Sequence, residues 1–127
     1  MMYKKRESNM LMTRIAQRRS VNERGLYKML DRDRFFARHY IGAKSLMALI
    51  DISTTGCAFK VDRFIPKGSY LEIEFNKLSE GHVFESPIIV ACEAIYCRYI
   101  DRSTNRIGVK FLEIDRDGVE KIRAYTE

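Results

Sequence analysis

Asp51 and Ser53 stand two apart in an apolar stretch, and Gly56 follows three residues later, in Asp51-Ile52-Ser53-Thr54-Thr55-Gly56. On a strand, side chains two apart leave from one face, so an acid and a hydroxyl emerge together. This is a hydrogen-bonding pair, suited to holding a ligand. The glycine allows a sharp turn or the close approach of a ligand to the backbone. The competing interpretation is a strand end closed by an Asx or Ser turn.

Residue patterns for catalysis are missing. His39 and His82 have no cysteine, serine or carboxylate beside them in a catalytic spacing. Cys92 and Cys97 are five apart on one expected strand, which directs them to opposite faces and denies them a shared metal. No Walker loop and no G-x-G-x-x-G occurs. Glu72 and Glu74 are expected on a solvated strand face. The reading is therefore a protein that is not an enzyme and has no cofactor and no metal.

Charge points to the kind of partner. Residues 1–38 hold eleven Lys/Arg against four acids, a net +7, while the remainder holds twelve against thirteen, a net −1. A basic segment of this kind suits an anionic partner, such as a phosphorylated ligand, nucleic acid or an acidic surface. A solvated basic helix without a partner is the plainer alternative.

Positioning such residues requires a scaffold, and the chain supplies one. Its 127 residues are enough for one core, and 46% are hydrophobic. The longest apolar run, Pro87 to Cys92, is far shorter than the roughly 20 residues of a membrane helix. Met1-Met2-Tyr3-Lys4-Lys5-Arg6 leads into no apolar segment of a secretory signal. Cys57, Cys92 and Cys97 are odd in number and each lies in a strand-like segment, so reduced, buried thiols and a cytoplasmic location are expected.

Alternation and turn composition mark six strands, over residues 34–41, 46–53, 57–61, 70–75, 88–100 and 106–114. Turns fall at 42–45, 65–68 and 101–105, with a polar loop over 76–85. Val119, Ile122 and Tyr125 then recur on one side of a helix over 115–125. Before the strands, Ser8 caps a short helix that carries Met10, Leu11, Met12, Ile15 and Ala16, and an extended arm follows. Short antiparallel strands with frequent turns favour a closed barrel, since closure removes edges. The expected fold is mainly β: a six-stranded antiparallel barrel over residues 34–127 with a C-terminal helix, preceded by a basic helical or extended arm over residues 1–33.

In this setting Asp51-x-Ser53-x-x-Gly56 resembles the D-x-S-x-x-G element of PilZ domains. Gly56-Cys57-Ala58-Phe59, Pro66-Lys67-Gly68, the alternating Leu71 to Phe75, and Ile107-Gly108-Val109-Lys110-Phe111 before a closing helix resemble the same family. The resemblance covers roughly residues 34–127. It implies a PilZ-type barrel and a receptor for cyclic di-GMP, a bacterial second messenger. In that family an R-x-x-x-R element on an arm before the barrel holds the phosphates and meets the guanines. Arginine's planar fork suits both phosphate and the guanine O6/N7 edge. Asp51 would accept from guanine N1–H and N2–H₂, and Gly56 would let a base approach the backbone.

Three stretches compete for the arginine role. Arg34-Phe35-Phe36-Ala37-Arg38 is complete but lies inside the first expected strand. Arg24-Gly25-Leu26-Tyr27-Lys28 has a comfortable spacing from Asp51 but ends in lysine. Arg14-Ile15-Ala16-Gln17-Arg18 is complete and more distant. The site implied by the resemblance is Arg34, Arg38, Asp51, Ser53 and Gly56, with Arg14, Arg18, Arg24 and Lys28 as the alternative arm.

The partners implied are cyclic di-GMP and an unidentified protein in motility, pili or biofilm control. The second reading is a PilZ-like adaptor that does not bind the dinucleotide. A nucleic-acid-binding barrel, motivated by the basic arm with Phe35, Phe36 and Tyr40, ranks last.

Overall fold

A computed structural model describes residues 16–31 and 43–127. Six strands and a helix follow one another: β1 (Arg19–Met29), β2 (Ser45–Ile52), β3 (Gly56–Val61), β4 (Tyr70–Ser79), β5 (His82–Asp101), β6 (Thr104–Glu113) and α1 (Arg116–Thr126). The strands close into an antiparallel barrel in the order β1-β2-β3-β6-β5-β4, with β1 pairing β4 to complete the ring.

Alternation decides which side chains enter the barrel. Leu71, Ile73 and Phe75 of β4, Cys57, Phe59 and Val61 of β3, and Ile107 and Val109 of β6 form one core with Tyr27, Met47, Leu49 and Ile52. Tyr27 and Phe59 stack inside it with ring centroids 6.2 Å apart. Burial stabilises each large apolar side chain by about 2 kcal/mol.

Asp115 caps α1 by accepting from the Gly118 amide at 2.7 Å, and Ile122 enters the core. The helix is tied to the start of β1. The Arg19 guanidinium lies 4.3 Å from the centre of the Tyr125 ring and donates to the Tyr125 carbonyl at 2.7 Å. The Tyr125 hydroxyl donates to the Ser20 carbonyl.

Several expectations change. The strand expected over 34–41 lies outside the described residues, as does the expected helix carrying Met10 to Ala16 apart from Ala16, which is in no helix. The first described strand is Arg19–Met29, within the segment expected to be an arm. Its polar outer face carries Arg19, Asn22, Arg24 and Lys28, which hid the inward Val21 and Tyr27. The polar loop expected over 76–85 is a hairpin. Ser79 pairs with His82 across Glu80-Gly81, and Gly81 adopts φ 81°, which a tight turn requires and glycine adopts without strain. Glu72 is buried opposite Lys28, and Glu74 binds Lys44 at 2.8 Å, so these acids do not form a plain solvated face.

The cysteine pair is also corrected. The β5–β6 register shifts between Ala94 and Tyr96, a bulge at Ile95. One extra residue reverses the parity of every later position on the strand. Cys92 and Cys97, five apart, both pack on the core. Among the described residues no group of His, Cys, Asp and Glu could hold a metal ion.

Burial pushes the Cys92 and Cys57 thiols well above their ordinary value of 9.0, and for Cys57 the negative charge of Asp51 adds to it. The folded chain therefore holds thiol protons that the unfolded chain releases. Stability from this source is complete below the ordinary thiol pKa and is lost as pH rises above it. Denaturant midpoints should fall from about pH 9 upward, and Cys57→Ala should flatten the fall. In the folded chain at neutral pH a thiol reagent should label Cys97 at most, and all three cysteines after unfolding. Rapid native labelling of Cys57 or Cys92 would contradict the packing.

Candidate functional site

Cross-strand register assembles the site on the barrel's outer wall. One row runs Ser20–Asp51–Ala58–Gly108–Tyr96 over β1, β2, β3, β6 and β5. Ala58 and Gly108 are small, so they form a floor between the taller Asp51 and Tyr96. The result is a cleft of about 270 Å³, with Arg18 and Arg106 among its walls. Anything larger at Gly108 would have to displace the Tyr96 ring, because a Cβ there would lie 2.0 Å from it. The tyrosine covers the glycine across the strand pair.

Asp51 binds two arginines. Its Oδ1 accepts from Arg18 Nη1 at 2.6 Å, and its Oδ2 accepts from Arg106 Nη2 at 3.0 Å. Arg106 Nε donates to the Tyr96 hydroxyl at 2.9 Å. The Tyr96 hydroxyl, and after it the Asp51 carboxylate, hold the Arg106 guanidinium charged above its ordinary range. The Arg18 side chain is 52% exposed against 19% for Asp51, so the aspartate is anchored and the arginine can swing away. An ion pair this exposed contributes at most about 1 kcal/mol.

Ser53 and Gly56 are placed differently from expectation. The strand alternation ends at Ile52, so Ser53 does not share the face of Asp51. Its buried hydroxyl accepts from the Thr55 amide at 3.2 Å and donates to the Gly56 carbonyl at 3.3 Å. Its own amide donates to the Gly56 carbonyl at 2.9 Å. Gly56 faces β6, and a Cβ there would lie 2.4 Å from the Val109 carbonyl oxygen. The backbone that approaches this glycine is thus that of β6. In this element Asp51 presents a carboxylate, while Ser53 and Gly56 shape the turn and the strand contact.

Of the candidate arginines, Arg34, Arg38 and Arg14 lie outside the described residues. Arg24 and Lys28 sit within β1, opposite Ala48 and Glu72, and form part of the barrel wall. Arg18 reaches Asp51 because Arg19 pairs with Ile52 and Ser20 with Asp51, which carries the preceding residue alongside. Sequence reasoning missed Arg106 and Tyr96. The available signal was that Arg106 precedes the alternating Ile107-Gly108-Val109-Lys110-Phe111 on the outward parity.

The fold and this wall define a class: a closed six-stranded antiparallel barrel with a D-x-S-x-x-G turn and an arginine-flanked aspartate. The model of the PilZ domain matches residues 17–127, and the chain belongs to that family.

Solved structures share the fold. The Bacillus subtilis inhibitor of motility (MotI/DgrA) is 12% identical with a TM-score of 0.66, over 91% of this chain and 50% of that one. The PilZ domain of YcgR from Escherichia coli, solved with c-di-GMP, is 17% identical with a TM-score of 0.58, over 91% and 89%. MrkH of K. pneumonia, in complex with c-di-GMP, is 16% identical with a TM-score of 0.54, over 91% and 51%. The chain thus spans about half the length of the first and third of these. Comparison with curated proteins by sequence gives no match. No helix among the described residues is long and apolar enough to cross a membrane.

Proposed function

We propose that this chain is a cytoplasmic receptor for cyclic di-GMP that binds the dinucleotide on the β2–β3–β6 wall and does no chemistry on it. The observation that carries the reading is Asp51 held between Arg18 and Arg106 over the Ala58–Gly108 floor. A carboxylate accepts from the N1–H and N2–H₂ edge of guanine, and guanidinium forks suit phosphate and the O6/N7 edge. Arg18, the last residue before β1, serves as the arm arginine, and Arg14 stands four residues before it in the same R-x-x-x-R. When ligand binds, Arg18 exchanges Asp51 for phosphate. Arg19 neighbours this exchange and holds Tyr125 of α1, so the exchange reshapes a surface that a protein partner can read.

Calorimetry and thermal melting with cyclic di-GMP test this. At about 100 times Kd the ligand adds about 2.7 kcal/mol to stability, seen as a clear rise in Tm. Arg18→Ala should weaken binding about tenfold, the loss of one charge-assisted contact. Arg24→Ala, on another part of the wall, should leave binding unchanged. Neither heat nor a Tm shift at millimolar ligand would remove the receptor reading. A protein partner retained under those conditions would then establish the second reading, an adaptor of the same fold. The resemblance in fold to an inhibitor of motility favours keeping that reading.

A further inference from the structure

A second row lies beside the floor of the cleft. Lys60 of β3 is directly opposite Arg106 of β6, and Arg106 is directly opposite Arg98 of β5. Three cations therefore stand side by side on adjacent strands. Directly opposed like charges repel and destabilise a sheet. Among the described residues, only Arg106 of the three is in ion-pair contact with a carboxylate, that of Asp51. Arg98 is held by Tyr96, whose ring lies 5.0 Å from the guanidinium carbon. The same tyrosine accepts from Arg106 through its hydroxyl. Tyr96, itself seated on Gly108, thus aims two arginines from one fixed ring. Arg18 and Arg106 line the cleft with Asp51, and Lys60 and Arg98 flank Arg106 along the cross-strand row. A row of opposed cations of this kind suits an anion.

We propose that Lys60, Arg106 and Arg98 form a phosphate-binding shelf on the barrel wall, with Tyr96 as the residue that positions both arginines. The shelf takes a phosphodiester group of the cyclic dinucleotide while Asp51 holds a guanine edge. The assignment rests on the receptor reading, and it lies outside both the D-x-S-x-x-G and the R-x-x-x-R elements.

The test uses the full chain with Lys60→Gln, Arg98→Gln and Tyr96→Phe, titrated with cyclic di-GMP at low and high salt. Inorganic pyrophosphate serves as a guanine-free phosphate anion. Each Gln variant should bind cyclic di-GMP about tenfold more weakly and with a shallower dependence on salt. Without ligand, each should melt at the same temperature as the parent or higher, because a repulsion has been removed. A merely structural role would instead lower Tm and affinity together. Tyr96→Phe keeps the ring but loses the hydroxyl, and should weaken binding about threefold to tenfold.

If the parent binds cyclic di-GMP and both Gln variants match it, the shelf is overturned and the receptor reading stands. If the parent ignores cyclic di-GMP but binds pyrophosphate in a manner lost in Arg98→Gln, the cationic row is a phosphate site, while its assignment to the cyclic dinucleotide falls with the receptor reading. If the parent binds neither ligand, both fall.

Discussion

Asp51→Asn should lower the affinity for cyclic di-GMP about a hundredfold while moving the ligand-free Tm by only a few degrees. The carboxylate accepts from Arg18 and Arg106 at once, and in the complex it is the acceptor for the guanine edge. The amide keeps the shape but removes the charge. It also turns an N–H₂ group towards a guanidinium or towards the guanine donors, where an acceptor is needed. A charge-assisted contact contributes about 1.5–3 kcal/mol, and a donor left without its partner adds to the loss, so the lower end of the sum, about 3 kcal/mol, already converts to about two decades in Kd.

The folded state depends on Asp51 far less. Arg18 is half exposed, and such pairs are worth at most about 1 kcal/mol. Titration calorimetry and melting on the same preparation separate the two effects. Binding by Asp51→Asn within about threefold of the parent would show that Asp51 does not touch the ligand.

Gly56→Ala should have the opposite signature, a loss of stability of about 3 kcal/mol. The added methyl would sit 2.4 Å from the Val109 carbonyl oxygen, and that oxygen belongs to the β6 backbone. The β3–β6 ladder holds this backbone from Gly56↔Lys110 through Val61↔Asn105, so it cannot step aside without breaking its register. Thermal or urea unfolding reads the loss directly. If Gly56 instead served the close approach of a base, the alanine variant would bind weakly yet melt like the parent. A Tm unchanged in Gly56→Ala would refute the packing role. Together the two substitutions divide the D-x-S-x-x-G element into a ligand contact and a scaffold contact.

Much of the barrel is legible in the chain. Leu71, Ile73 and Phe75 alternate with polar residues, and Ile107 to Phe111 alternate around Gly108, so the first half of β4 and most of β6 show in the residue pattern. Val119, Ile122 and Tyr125, three apart on one side, mark α1. Asp51 stands out because an acid and a small-residue turn end an apolar strand. These features depend on neighbours along the chain, and alternation and capping act over only a few residues.

Other features depend on pairing across the barrel. β1 was hidden because its outer face is basic, and its inward residues gain meaning only against β2 and β4. The bulge at Ile95 is one residue, yet it turns Cys97 towards the same core as Cys92. Arg18 and Asp51 are separated by 33 residues, and Arg106 and Asp51 by 55. Their meeting follows from the register Ser20↔Asp51↔Ala58↔Gly108. Register is set jointly by turns, bulges and the burial of one face, and a slip of a single residue would send each of these side chains to the other face of the sheet. The amino-acid order alone therefore specified β2, β3, β6, parts of β4 and β5, the helix and the aspartate. Strand pairing and its register chose which arginines stand beside it, because these contacts exist only once β1, β2, β3 and β6 are paired.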